Sequence, residues 1–306
     1  MKVKVESRTA KRDSGAALML ALWAMFLLSA MVVSWALDID SRLTLNGRAT
    51  RVLEAQANAC SGGEIALHPA TTAGSPLLRG GLGRGQSYEA RITGEGGRLN
   101  LNWLVSGENP QRIELLRRFL EEKGIDLNER DHMIDCLLDW VDPDNLVRLN
   151  GSEDEGDYKP ANTLLARVDD LKRVRGWEEF VARPDWDAEL TVNSTGPIDL
   201  AWATRDLLLS LPGMTDALVD AFLTVRAGPD GVEGTEDDAA FKSLDEVRGA
   251  LGFSTEQFKQ LAPLVSFRDQ VVRVTSIGRS GDVTRVVQMI VRKTGNVPQL
   301  INWKEL

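Results

Sequence analysis

The chain has 306 residues, 43% of them hydrophobic and 26% charged, with two cysteines and a formal net charge of −9. That composition excludes a disordered chain, a disulfide-stapled miniprotein and a collagen-like fibre, and the length allows about two domains. The acidic balance argues against a protein whose main work is gripping nucleic-acid phosphates, since that affinity comes largely from Lys and Arg displacing counterions.

The charge is unevenly spread. Residues 1–15 carry Lys2, Lys4, Arg8, Lys11 and Arg12 against Glu6 and Asp13, directly before an uncharged apolar run over residues 16–37 that lacks Pro and Gly. At ~1.5 Å per residue a helix of that length crosses the ~30 Å hydrocarbon core of a bilayer once. With the basic leader before it and Asp38 and Asp40 after it, the positive-inside rule keeps residues 1–15 cytoplasmic and sends the bulk of the chain outward. Three readings fit the segment. A cleaved secretory signal has the loosely matching site Ser34-Trp35-Ala36, but the apolar run is too long for one. A plain anchor fits the length and charges and leaves unexplained the Gly15 between leader and run. A type IV pilin-like leader, cut after Gly15 so that Ala16 becomes the new amino terminus on the span, accounts for both and is preferred.

After Leu37, apolar residues recur at Leu43, Leu45, Ala49, Val52, Leu53, Ala57 and Cys60, near the spacing of one helical face, so the membrane helix is predicted to continue to about Ile65. Gly, Ser, Thr and Pro crowd residues 61–85, which read as a loop; the glycines between Gly80 and Gly85 lack the G-x-x-x-x-G-K-[ST] pattern of a phosphate loop. QSYEARI and RLNLNW read as strands.

Between about 107 and 265 the pattern is helical, with segments predicted over 111–123, 128–140, 168–174, 177–182, 204–211, 215–227, 244–251 and 255–264, the last with Thr255 as N-cap. From Gln270 the period changes to strands: VVRVTSIG, a turn over 279–282, VTRVVQMIV, and a last strand around LINW. The expected fold is α+β: a long N-terminal transmembrane helix on a small antiparallel pilin-like sheet, with a large all-α insertion. The boundaries expected are a leader 1–15, a span 16–37, a helix continuation 38–66, a β domain of 67–106 and 266–306, and an inserted α domain 107–265.

Residues 126–160 hold eleven acids and three bases. Asp139, Asp142 and Asp144 fall at the end of a predicted helix, and Glu153, Asp154 and Asp157 follow across a Gly-containing loop. Calcium takes six to eight oxygens from carboxylates, carbonyls and water, and so many acids without a cation leave repulsion uncompensated; a calcium site stands against a solvated acidic loop. An EF-hand is excluded by the missing glycine and alternate-residue ligands. A second acidic loop, GPDGVEGTEDD, could converge Asp230, Glu233, Asp237 and Asp238 on an ion, or remain a solvated turn.

LLLSLPGMTDALVDAF and GALGFSTEQFKQLAPL look like helix-hairpin-helix units, which elsewhere bind DNA phosphates; here Asp206, Asp216 and Asp220 surround the first turn with Arg205, so packing is the preferred role. The rival function is a membrane-anchored DNA-binding protein outside the cytoplasm. His68 and His132 accompany no G-x-S-x-G, C-x-x-C or H-E-x-x-H, so no catalytic set is expected. Cys60 and Cys136 lie in different predicted helices in a compartment that permits a disulfide, and spacing does not decide whether they meet.

Taken in order, the leader ending at Gly15, the unbroken span, GRLNLNW, DWVDPD with GSEDEGDY, VDDLKRVRGW, the LPG turn and a closing β-meander ending in a Trp-containing strand resemble the K-type minor pseudopilins (GspK) of type II secretion systems. The resemblance covers nearly the whole chain. It implies a bacterial inner-membrane protein with a single span and its bulk in the periplasm, cut by a prepilin peptidase and placed at the pseudopilus tip. Minor pseudopilins I and J and the major pseudopilin are the implied partners, with no nucleic acid. It also implies one or two Ca2+ ions in the helical domain, with Asp142 and Asp144 the foremost expected ligands. Most pilin-like proteins carry Glu at the fifth mature position; here it is Leu20, as in K-type proteins. A carboxylate without a partner in lipid costs several kcal/mol, so a subunit with no neighbour above it is better served by Leu.

Overall fold

The computed structural model describes residues 13–83, 85–235, 237–294 and 297–306; the leader bases Lys2, Lys4, Arg8, Lys11 and Arg12 lie outside the described residues. Helix α1 (Asp13–Leu67) runs unbroken for 55 residues. Its first part is apolar and entirely exposed, and is long enough to cross a membrane. From Ala55 onward the helix lies on a sheet.

The face that packs there differs from the predicted stripe. Leu43, Leu45 and Leu53 stay about two-thirds exposed, and the buried positions are Ala55, Ala59, Gly62, Gly63 and Ala66 together with Asn58, which donates to the Arg279 carbonyl at 2.9 Å. Close approach is the reason: a Cβ on Gly278 of the sheet would fall within the van der Waals shells of the Ala55 carbonyl oxygen and the Ala59 nitrogen. Only small residues admit two backbones at that distance.

The sheet combines β1 (Arg79–Gly83) and β2 (Gln86–Gly94), which precede the helical block, with three strands that follow it. With β7 at Val271–Ser280, β8 at Val283–Arg292 and β9 at Gln299–Glu305, the fully antiparallel order is β1-β2-β7-β8-β9, so β2 pairs across the insertion with β7, as in Ile92 opposite Val274. Strands β7 and β8 (Val283–Arg292) form a hairpin closed by Gly281, at φ +58°, and Asp282. Arg51 on α1 reaches Asp282 at 2.8 Å. Strand β9 (Gln299–Glu305) is an exposed edge. Strand β1 lies within the stretch predicted as loop: its glycines pair with β2 as the opposite edge of the sheet.

The helical block contains β3 (Leu99–Asn100), α2 (Leu101–Val105), α3 (Pro110–Glu122), α4 (Leu127–Val141), α5 (Glu178–Val181), β4 (Leu190–Thr191), β5 (Ile198–Asp199), α6 (Arg205–Leu209), α7 (Asp216–Arg226), α8 (Leu244–Ala250), α9 (Thr255–Leu261) and β6 (Val265–Ser266). It is therefore not all-α: β3 with β4 and β5 with β6 form short parallel pairs. RLNLNW is a two-residue strand that turns into a helix, because the Asn100 side chain accepts the Trp103 N–H and caps α2. Leu99, Leu101, Leu104 and Val105 then enter the helical core, which moves the boundary expected at 106/107 back to about residue 97. Residues 168–173 form a 3-10 helix, and the N-cap of α9 is Ser254, in a capping box with Gln257, instead of Thr255. The sheet has its own smaller core of Ala59, Ala90, Ile92, Val274, Val287 and Met289.

Candidate functional site

Helix α4 ends in the acidic segment. Its apolar positions Met133, Ile134, Leu137 and Leu138 are buried, and Trp177 donates its ring N–H to the Met133 carbonyl at 2.9 Å. Two residues on its outer side clip the following loop. Asp135 accepts from the backbone and side-chain nitrogens of Asn150 at 3.1 and 3.0 Å, and His132 Nδ1 donates to the Asn150 carbonyl at 2.6 Å. This brings Gly151 against the Asp139 carboxylate, where a Cβ would collide with its Oδ2.

The result is a convergence of Asp139, Asp142 and Glu153, with ligand atoms all within 4.8 Å of one another. Asp139 is fully buried and Glu153 is 5% exposed. Both Glu153 oxygens and Asp142 Oδ1 are buried without a hydrogen-bond partner. Burial pushes the Glu153 carboxyl above its ordinary range, reinforced by the charges of Asp139, Asp142 and Asp144. The cluster sits at the C-terminal end of α4, the negative end of the helix dipole, and the last turn of α4 carries no basic residue. An all-oxygen donor set with three unsatisfied buried oxygens fits a hard divalent cation such as calcium.

Arg148 supplies positive charge to the cluster. Its Nη1 bridges Asp139, at 2.6 Å, and Asp142, while Nη2 reaches Glu108 at 2.6 Å. Sequence reasoning missed Arg148 and Gly151. The signal for the arginine was available: it is the one base between Arg130 and Lys159. The expected donors Asp144, Asp154 and Asp157 are exposed and lie outside the convergence; Asp144 caps a turn by accepting the Leu146 N–H at 2.9 Å.

In the second acidic loop all four carboxylates are engaged by donors within or beside the loop. Asp230 accepts from Val232 N at 2.7 Å, Asp237 from Thr235 Oγ1 at 2.6 Å, and Asp238 from Gly234 N at 2.7 Å. Glu233 pairs with Arg226 at 2.5 Å. Among the described residues the structure does not bring these four to one point.

The hairpin units pack on each other. Gly213, at φ +80°, makes its turn against Phe253, and Leu207, Leu211, Phe222, Val247 and Phe258 share the core. Arg205 is engaged by Asp216 and Asp220, at 2.7 and 2.9 Å. His68 is exposed in the loop after α1. His132 lies 3.6 Å from Cys136 Sγ, but burial and the Asp139 charge push that thiol up to about 12, the reverse of an activated nucleophile. Cys60 and Cys136 are free thiols.

One long helix, apolar in its first part and laid on an antiparallel sheet in its last, with a mainly helical insertion carrying a buried acid cluster, defines an α+β protein built as a rod and head. Residues 97–183 match the family model for type II secretion system protein K. A curated relative, type II secretion system protein K of Dickeya chrysanthemi, is 27% identical over 81 residues, which are 26% of this chain and 23% of the relative. The match therefore spans about a quarter of that relative's length. A chain in the crystal structure of the GspK-GspI-GspJ complex from the enterotoxigenic Escherichia coli type 2 secretion system shares the fold. Its TM-score is 0.57 at 13% identity, covering 88% of this chain and 99% of that one. The family model and the curated relative both carry the description type II secretion system protein K, and the structural likeness is one of fold.

Proposed function

We propose that the chain is a noncatalytic minor pseudopilin at the tip of a type II secretion pseudopilus, where it initiates or caps assembly with I- and J-type partners for the export of folded proteins. The observation that carries this reading is α1 itself: a single helix whose first part is bare and apolar and whose last part is buried in a head domain. In this reading the span is held in the bacterial inner membrane with the head in the periplasm, and a prepilin peptidase cuts between Gly15 and Ala16. The exposed Leu43, Leu45 and Leu53 are available to neighbouring helices, the major pseudopilin's among them, and Leu20 leaves the top of the rod without a carboxylate. The Arg205 ion pairs weigh against the DNA-binding alternative, since they neutralise the base nearest in sequence to the first hairpin turn.

Calcium held by Asp139, Asp142 and Glu153 belongs to the same reading. The supporting observation is the unpaired buried Glu153. The deciding experiment is co-purification of the full chain with I- and J-type pseudopilins, alongside intact-mass measurement of the amino terminus. Retention of both partners and a mass beginning at Ala16 are expected; failure to form the complex, or a terminus near Leu37, removes the reading. Calcium should raise the melting temperature by more than magnesium, which demands octahedral geometry and sheds water reluctantly.

A further inference from the structure

Arg148 occupies the place in the acid cluster where a metal ion's charge would be needed. Its Nη1 spans Asp139 Oδ1 and Asp142 Oδ2, and its own backbone N–H reaches Asp139 Oδ2 at 3.3 Å. These two carboxylates belong to the group whose ligand atoms converge with Glu153. Glu153 is not touched by the guanidinium and remains without a partner, so the arginine satisfies only part of the cluster. The other arm of the same guanidinium is already attached elsewhere, to Glu108 at 2.6 Å. Glu108 is 60% exposed, lies outside the cluster, and sits in the left-handed region at φ +46° beside Gly107.

We infer that Arg148 is an internal latch that competes with the divalent cation for Asp139 and Asp142, holding the loop closed in the metal-free protein and swinging onto Glu108 when the ion enters. The inference rests on the calcium reading above and deepens it. The physical reason is exclusion. A guanidinium and a divalent ion cannot use the same carboxylate oxygens together, and two like charges a few ångströms apart in a poorly solvated pocket repel strongly. Without the ion, removing the arginine would leave Asp139 fully buried beside Asp142 and Glu153 with no counter-charge. The latch therefore lowers calcium affinity while it stabilises the empty site.

The test is calorimetric titration of calcium chloride into the detergent-solubilised full chain, wild type against Arg148→Gln, with melting temperatures in chelator. Arg148→Gln should bind calcium about tenfold more tightly or better, and should melt lower than wild type in chelator. A variant unfolded in chelator and folded in calcium is the extreme form of the same result. If wild type binds and Arg148→Gln binds equally or more weakly, the latch is overturned and the calcium reading stands. If neither binds, the calcium reading fails and the latch falls with it. Should Arg148→Gln not fold in either condition, Arg148→Lys decides. Its compact ammonium cannot bridge two carboxylates and Glu108 together, so its affinity must rise above wild type, and no rise overturns the latch.

Discussion

The joint between sheet and helical block is expected to fail when Glu95 loses its charge. Glu95 is completely buried just past β2 and receives Arg273 of β7 in a two-pronged pair, both contacts at 2.8 Å. Thr191 of β4 donates to it at 2.5 Å, and Arg98 approaches at 3.5 Å. The two guanidiniums are themselves only 14% and 18% exposed. Burial and the nearby Arg273 charge already pull Arg98 down to about 10, with Glu95 opposing the fall. Glu95→Gln keeps the shape and removes the counter-charge from two sheltered cations. Breaking one partner of such a pair costs about 3–5 kcal/mol. At roughly 2–4 °C per kcal/mol this lowers the melting temperature by roughly 6–20 °C. The assay is thermal and guanidinium unfolding followed by circular dichroism, with Arg273→Met and the double variant completing a cycle. Because the double variant leaves less uncompensated charge, its loss should be smaller than the sum of the singles by about 1–3 kcal/mol. A loss below about 1 kcal/mol for Glu95→Gln, or an additive cycle, would refute the buried-pair reasoning.

Other perturbations separate packing from charge. Gly278→Ala drives a methyl group into the α1 backbone and should cost about 1–3 kcal/mol, near the upper end because neither side is a flexible side chain; unchanged unfolding would show that helix and sheet can part freely. Glu153 has a raised carboxyl, so its stabilising contribution is complete below the ordinary carboxylate range and is lost as pH rises through its folded-state value. In chelator at neutral pH, Glu153→Gln should therefore be at least as stable as wild type, with a flatter pH profile, and it should lose the calcium-induced rise in melting temperature. A less stable variant in chelator would contradict this. Cys136 is fully buried with its thiol pushed up to about 12, so a maleimide should spare it in the native protein and label it after denaturation; rapid native labelling of Cys136, read by peptide mass, would contradict that burial.

The sequence alone carried whatever depends on local chemistry and order along the chain. An uncharged run of the right length behind a basic leader reads as one membrane span, and a change of period from helix to strand marks where the helical block ends. The acid-rich stretch after Trp140 likewise marks the neighbourhood of the candidate site. Decisions about distance were made by tertiary structure. Periodicity ranks residues by hydrophobicity, so it selected Leu43, Leu45 and Leu53 for the packed face of α1. The sheet comes so near that the buried apolar positions of the helix are the small Ala55, Ala59, Gly62, Gly63 and Ala66. A list of acids likewise has no depth: Asp144, Asp154 and Asp157 resemble Asp139 and Glu153 in sequence and differ in which way the loop turns them. That turn is set by Asn150 clipped to Asp135 and His132, and by Gly151 yielding room to Asp139. The same fold carries Arg148 back onto a helix end whose last turn has no base, because bringing three sheltered carboxylates together demands a cation from somewhere in the chain or from solution.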